Sequence, residues 1–103
     1  MDLTKQLAGY AAGLQYKDLA EETVQNAKKC ILDWAGVCIR GSQETPIQIL
    51  RAVLGQNTGA DQATVLTSPL LRTVAWDAAF LNGAASHSLD FDDLHNASII
   101  HLA

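Results

Sequence analysis

Apolar residues recur at three- and four-residue intervals in four places along this chain, and each recurrence predicts an amphipathic helix. Leu3, Leu7, Tyr10, Ala11 and Leu14 set the first, over about residues 3–14, with Gly13 and Gln15-Tyr16-Lys17 ending it. The second has the clearest face: Val24, Ala27, Ile31, Trp34, Ala35 and Cys38, with Gly41 as its stop. Asp18 followed by Glu21 reads as a capping box at its start. Its first half carries Glu21, Glu22, Gln25, Asn26, Lys28 and Lys29, whereas only Asp33 is charged between Cys30 and Ile39. The helix is therefore expected to begin at the surface and end enclosed. The third has Thr45 as cap, Pro46 at the first helical position, Gln48 completing a box and Gly55 closing it.

A polar stretch, Gln56–Gln62, follows, then the β-branched run Ala63-Thr-Val-Leu-Thr67, which is extended in character but too short to predict a strand. The fourth helix is expected from about Thr73 to Ser88. Ala75, Ala78, Ala79, Gly83, Ala84, Ala85 and Ser86 crowd it with small residues, so it is predicted to be central, with close packing as the reason for Gly83. Trp34 and Trp76 read as core aromatics. The fold class predicted is all-α, about four helices in a single domain over 1–103.

At 103 residues, 49% of them apolar and 17% charged, the chain is globular, and its apolar content hints at a partner it lacks. A net charge of −4 with no Lys/Arg stripe excludes nucleic acid as a partner. Asp33, Asp77 and Asn82 interrupt the apolar stretches, so no membrane span is expected. The first residues lack the pattern of a signal peptide. Cys30 and Cys38, eight apart in one helical pattern, suit two reduced, buried thiols, and the cytoplasm is the expected compartment.

The chemistry concentrates at one end. All three histidines, His87, His95 and His101, fall in the last seventeen residues, together with Asp90, Asp92 and Asp93. Imidazoles and carboxylates gathered where a helix gives way to a loop suit acid–base work, because neighbours push one another's protonation apart. Two plainer readings stand beside that one: Asp92 or Asp93 capping a following helix, and a loose Asp/His metal site with zinc, manganese or iron. No phosphate-binding loop, dinucleotide fingerprint or nucleophile elbow is present.

The string Leu81-Asn-Gly-Ala-Ala-Ser-His-Ser-Leu-Asp-Phe-Asp-Asp-Leu-His95 resembles the signature region of the MmgE/PrpD family. Ala27-Lys-Lys-Cys-Ile-Leu-Asp-Trp-Ala-Gly36, Gly41-Ser42 and Ala63-Thr-Val-Leu66 resemble that family in order and at its spacing. The resemblance implies the N-terminal part of a large helical domain whose active site is completed by a smaller lid domain. It implies a lyase or isomerase for citrate-like di- and tricarboxylic acids, of the 2-methylcitrate dehydratase and cis-aconitate decarboxylase kind. Such chemistry needs no cofactor and often runs in homo-oligomers.

By position, the resemblance makes Asp90 and His101 catalytic, and Asp93 and His95 substrate-binding. His87, one turn before Asp90, reads as a packing or orienting residue, and Asp33 as a hydrogen-bonded structural carboxylate. Leu94 stands where the family has threonine, and Leu102 where it has proline. Since the family is several hundred residues long, the isolated chain is expected to show no turnover. The alternatives are a non-catalytic helical oligomerisation module and, behind it, a metal-binding module.

Overall fold

The computed structural model describes residues 2–54 and 61–101, with backbone alone for Ile100 and His101. The chain divides into two units, Met1–Cys30 and Ile31–Ala103, with the division inside the second helix.

In the first unit, α1 spans Leu3–Gly13. Asp2 caps it, its carboxylate accepting the Lys5 N–H at 3.3 Å, which satisfies one of the donors that a helix start leaves open. A 3₁₀ turn at Tyr16–Asp18 follows, and α2 runs Glu21–Gly41. The box expected at the start of α2 forms one element earlier. Asp18 accepts from the Gln15 N–H at 3.0 Å, closing the 3₁₀ turn. The start of α2 instead carries Glu21 and Glu22 against the positive end of the helix dipole, and Gln25 Nε2 donates to Glu21 at 2.6 Å. The apolar face of α1 is not a core face among the described residues, since Leu3, Leu7 and Tyr10 are all mostly exposed. Val24 is the one buried residue in the described part of this unit.

The second unit holds the rest of α2, then α3 (Thr45–Leu54), β1 (Ala63–Val65), β2 (Leu71–Thr73), α4 (Ala75–His87), β3 (Leu94–His95) and β4 (Ile100–His101). The molecule is mostly helical, as predicted, with two small antiparallel ribbons added. The β-branched run does become a strand. Ala63 pairs with Thr73 and Val65 with Leu71, across a connection containing a cis Ser68–Pro69 bond. Thr73 is thus taken by the ribbon, and α4 starts two residues later than its periodicity suggests. Val74 has no side chain able to cap, so Gln62 reaches across and accepts the Ala75 N–H at 3.1 Å.

The cap of α3 also shifts. Ile47 and Gln48 both donate to the Glu44 carbonyl, so Thr45 is already helical, and the Gln48 amide bonds the Ser42 carbonyl rather than closing a box. Gly55, its expected stop, lies outside the described residues.

The core lies against α4. One cluster joins Cys38, Ile47 and Ala85 with Trp34, Leu50, Leu66 and Ala84 around them. The other joins Val65, Ala78 and Leu81, flanked by Leu50, Leu54, Ala63 and Leu71. Leu50 touches both clusters, and α4 is central as its small residues predicted. Gly41 is where close approach is real. A Cβ there would overlap the Ala85 carbonyl, and Ser88 Oγ donates to the Gly41 carbonyl at 3.3 Å.

Asn82 fastens ribbon to helix. Its Oδ1 accepts the Leu66 N–H at 2.8 Å and its Nδ2 donates to the Thr64 carbonyl at 3.0 Å, so one side chain acts as a strand's partner would. Cys38 Sγ lies 3.4 Å from the Asn82 carbonyl, and burial pushes its thiol pKa up.

Several expectations fail on burial. Trp76 is 77% exposed rather than a core aromatic, and Cys30 is exposed rather than buried. Ile31 and Leu32 are exposed, so the second half of α2 is enclosed only along the face of Trp34, Ala35, Val37, Cys38 and Gly41. Asp33 is exposed, and its carboxylate makes no hydrogen bond among the described residues. Among the described residues, none outside the backbone of its own helix comes within 4 Å of where a Cβ on Gly83 would sit. At Cys30, Ile31, Leu32 and Trp76 the sequence predicts an apolar face, and the described residues leave it exposed.

Candidate functional site

The last turn of α4 delivers His87, and residues 88–93 fold back beneath it. The turn is made by Asp90, whose N–H donates to the His87 carbonyl at 3.0 Å and whose φ is 57°. Aspartate tolerates that left-handed conformation better than most residues, which is a local reason for an acid at this position. The reversal brings Asp92 under the ring of His87. His87 Nδ1 lies 3.1 Å and 3.2 Å from the two carboxylate oxygens of Asp92.

The two partners differ sharply in exposure: the Asp92 side chain is 1% exposed and that of His87 is 58% exposed. A buried carboxylate against one ring nitrogen fixes the tautomer and orientation of the imidazole. That arrangement suits proton transfer to or from a small molecule. One ligand-capable atom from each of His87, Asp90 and Asp92 lies within 4.8 Å of the others, the geometry in which a divalent cation could also be held.

The remaining predicted residues sit on the adjoining ribbon. β3 and β4 pair with Leu94 opposite His101 and His95 opposite Ile100. The turn between them closes with the Ser98 and Ile99 N–H groups on the His95 carbonyl, and Ile99 takes a φ of 51°. His95 Nδ1 lies 2.7 Å from Ser98 Oγ, so this ring is tied into its own turn. Asp93 is exposed and unbonded among the described residues. The backbone of His101 lies in β4, and its side chain falls outside the described residues. No helix follows the Asp-Phe-Asp-Asp stretch in the described chain, so neither Asp92 nor Asp93 caps one.

Of the sequence-predicted set, then, Asp90 joins a cluster, while Asp93 and His95 lie on separate parts of the loop and ribbon. The tightest pair, His87 with Asp92, was read from sequence as an orienting residue and a possible cap. Their five-residue spacing across a helix end was the available signal, because a reversal there returns the later residue to the last turn.

Residues 5–103 match the family model of the MmgE/PrpD N-terminal domain. The chain belongs to the MmgE/PrpD family. It is 32% identical over 91 residues to human cis-aconitate decarboxylase and equally to its mouse counterpart. The match takes in 88% of this chain but only 19% of each relative. No solved structure matches the chain significantly. Among the described residues, no helix is long and apolar enough to cross a membrane. Within this MmgE/PrpD chain, the stretch from Asn82 to Asp92 does two jobs: it locks helix to ribbon and positions the imidazole–carboxylate pair.

Proposed function

We propose that this chain is the N-terminal segment of a lyase or isomerase for citrate-like di- or tricarboxylic acids, of the 2-methylcitrate dehydratase or cis-aconitate decarboxylase type, and that it is inactive by itself. The observation that carries this reading is the His87–Asp92 pair with Asp90 beside it, at the end of α4 in a family whose relatives include a decarboxylase of such an acid. Dehydration, decarboxylation and epimerisation of these acids share one demand, a proton moved at a carbon next to a carboxylate. A half-exposed imidazole held by a buried carboxylate meets it, with Asp90 and His101 as the catalytic groups inherited from the family pattern. Asp93 and His95 would contact substrate. No cofactor is required by this scheme.

Turnover also needs a closed, dry pocket that holds its substrate in one pose. The cluster here is open to solvent on the His87 and Asp90 side, and the chain spans about a fifth of its relatives' length. Purified chain assayed for CO2 release from cis-aconitate should give none above background. Fused to the remainder of a relative it should turn over, and Asp90→Asn in that fusion should lower kcat by at least about 100-fold, the contribution expected of a positioned acid–base group. Activity of the isolated chain, or an unaffected Asp90→Asn fusion, would refute the reading. The spacing of His87, Asp90 and Asp92 favours a divalent-cation site as the second reading. Calorimetric titration with Zn2+ or Mn2+ separates the two, because stoichiometric heat abolished by Asp92→Asn is expected only of a metal module.

A further inference from the structure

Among the described glycines, Gly41 alone is crowded. A Cβ added there would meet the Ala85 carbonyl and the Ser88 hydroxyl, whereas at Gly9, Gly13, Gly36 and Gly83 no described residue beyond the local helix backbone lies within 4 Å. Gly41 closes α2, yet its φ is not left-handed, so the usual conformational reason for a glycine at a helix end does not apply. What the position requires is the absence of a side chain. Two short rows make the crossing. Cys38 and Gly41, one turn apart on α2, lie against Asn82 and Ala85, one turn apart on α4. The α4 row runs on to Ser88, whose Oγ is 2.9 Å from the Ala85 carbonyl and 3.3 Å from the Gly41 carbonyl. One hydroxyl proton is thus shared between the last turn of α4 and the end of α2. Ser88 also opens the reversal in which the Asp90 N–H returns to the His87 carbonyl and Asp92 comes under the imidazole. His87 therefore stands between Ala85 and Ser88, the two residues that meet the α2 backbone at Gly41.

We propose that Gly41 and Ser88 are positioning residues for the His87–Asp92 pair, with the bare α2 backbone at Gly41 as the seat on which the last turn of α4 and its reversal are set. A side chain at position 41 displaces a backbone carbonyl, which cannot swing aside as a side-chain tip can. The displacement falls on the turn that carries His87 and on the hydroxyl that starts the path to Asp92. The effect on the geometry of the pair stands apart from the catalytic reading; the effect on turnover rests on it.

The test reads the imidazole directly. An ionised carboxylate only accepts, so a neutral His87 held by Asp92 carries its proton on Nδ1, the reverse of the tautomer that free histidine favours. Long-range 1H–15N correlation spectra of the chain at alkaline pH, with His87 assigned by its loss in His87→Gln, should show the Nδ1–H form in the majority. Gly41→Ala should make it the minority form. Ser88→Ala should reduce it in part, and Ser88→Thr, which keeps the hydroxyl, should preserve it. Gly36→Ala, in the same helix with open space around it, should leave the spectrum of His87 unchanged. An Nε2–H majority in the unsubstituted chain would overturn the proposal, as would an unmoved tautomer in folded Gly41→Ala or an equal loss in Gly36→Ala. Should Gly41→Ala not fold, the serine pair decides, and a Ser88→Ala spectrum identical to that of the unsubstituted chain sinks the idea. In an active fusion with the remainder of a relative, Gly41→Ala should lower kcat by about 10-fold or more with KM little changed. An unchanged kcat there counts against the proposal. A fusion indifferent to Asp90→Asn instead removes the catalytic reading and leaves the tautomer result standing.

Discussion

The two units share a sequence style and differ in what holds them. Residues 2–30 form a helix, a 3₁₀ turn and the start of another helix, with Val24 alone buried and their carboxylate and amide bonds made to neighbours three or four positions away. Residues from 31 onward contain two apolar clusters and polar clamps that span sixteen residues or more, such as Leu66 to Asn82 and Cys38 to Asn82. Local hydrogen bonds and helix propensity alone leave a helix of eleven residues such as α1 marginal. Only the second has the long-range burial that makes a fold cooperative.

The largest expected contrast is in thiol reactivity. Cys30 is exposed and should react with an aromatic disulfide reagent at once. Cys38 is buried and its thiol is held protonated by burial, so it should react only when the second unit opens, slower by about 10³-fold or more. Comparable rates for both would mean that the clusters around Cys38 are not a stable core.

Next comes a matched pair of leucines. Leu81→Ala should cost about 2–5 kcal/mol in a denaturant melt, because Leu81 of α4 is fully buried in the cluster it shares with β1, β2 and α3. Leu7→Ala, on the exposed face of α1, should change stability by no more than about 0.5 kcal/mol. A large effect at Leu7 would show that the first unit is held by burial after all.

Asn82→Ala should cost about 2–3 kcal/mol by leaving the Leu66 N–H and the Thr64 carbonyl without partners. The smallest shifts should come from two repairs. Thr73 Oγ1 is buried with no hydrogen-bond partner among the described residues, so Thr73→Val should be neutral or slightly stabilising. Ile99 holds a left-handed φ of 51° while its side chain is 78% exposed, so Ile99→Gly should gain up to about 1 kcal/mol. A loss from either would point to a contact made outside the described residues.

How much of this was legible in the sequence follows from what periodicity encodes. The four helices could be read because their apolar spacing is local, and the bounds of α1 and α2 came close. Cap residues were harder. Asp18 and Gln48 have the right chemistry, but each found a nearer or better-placed partner, and sequence spacing alone does not rank such competitors. The β1–β2 ribbon was hidden because its strands are three residues each and one consumes Thr73, which also continues the helical pattern of α4. Burial failed most where an apolar face has no partner in the described chain, as at Leu7, Ile31 and Trp76. Hydrophobicity says that a face seeks cover, not where the cover comes from.

In the site, the gathering of histidines and aspartates was visible as composition, and Asp90 was singled out through family resemblance. The His87–Asp92 pairing was not, because it depends on a reversal at Asp90 that only the backbone conformation discloses. Asn82 was likewise seen as part of a signature and not as a clamp, since its partners, Thr64 and Leu66, lie far back along the chain.

The bidentate grip of Asn82 has a mechanical corollary. Helix α4 cannot slide along its axis, or rotate by even one residue, without tearing two backbone groups out of the neighbouring ribbon. Amide exchange in α4 and in residues 63–66 should therefore share a single opening energy, the two segments breathing as one piece. The imidazole that closes the helix takes its coordinates from a strand laid down well before it in the chain, so a loosened ribbon would shift the acid–base pair without altering any residue that touches it.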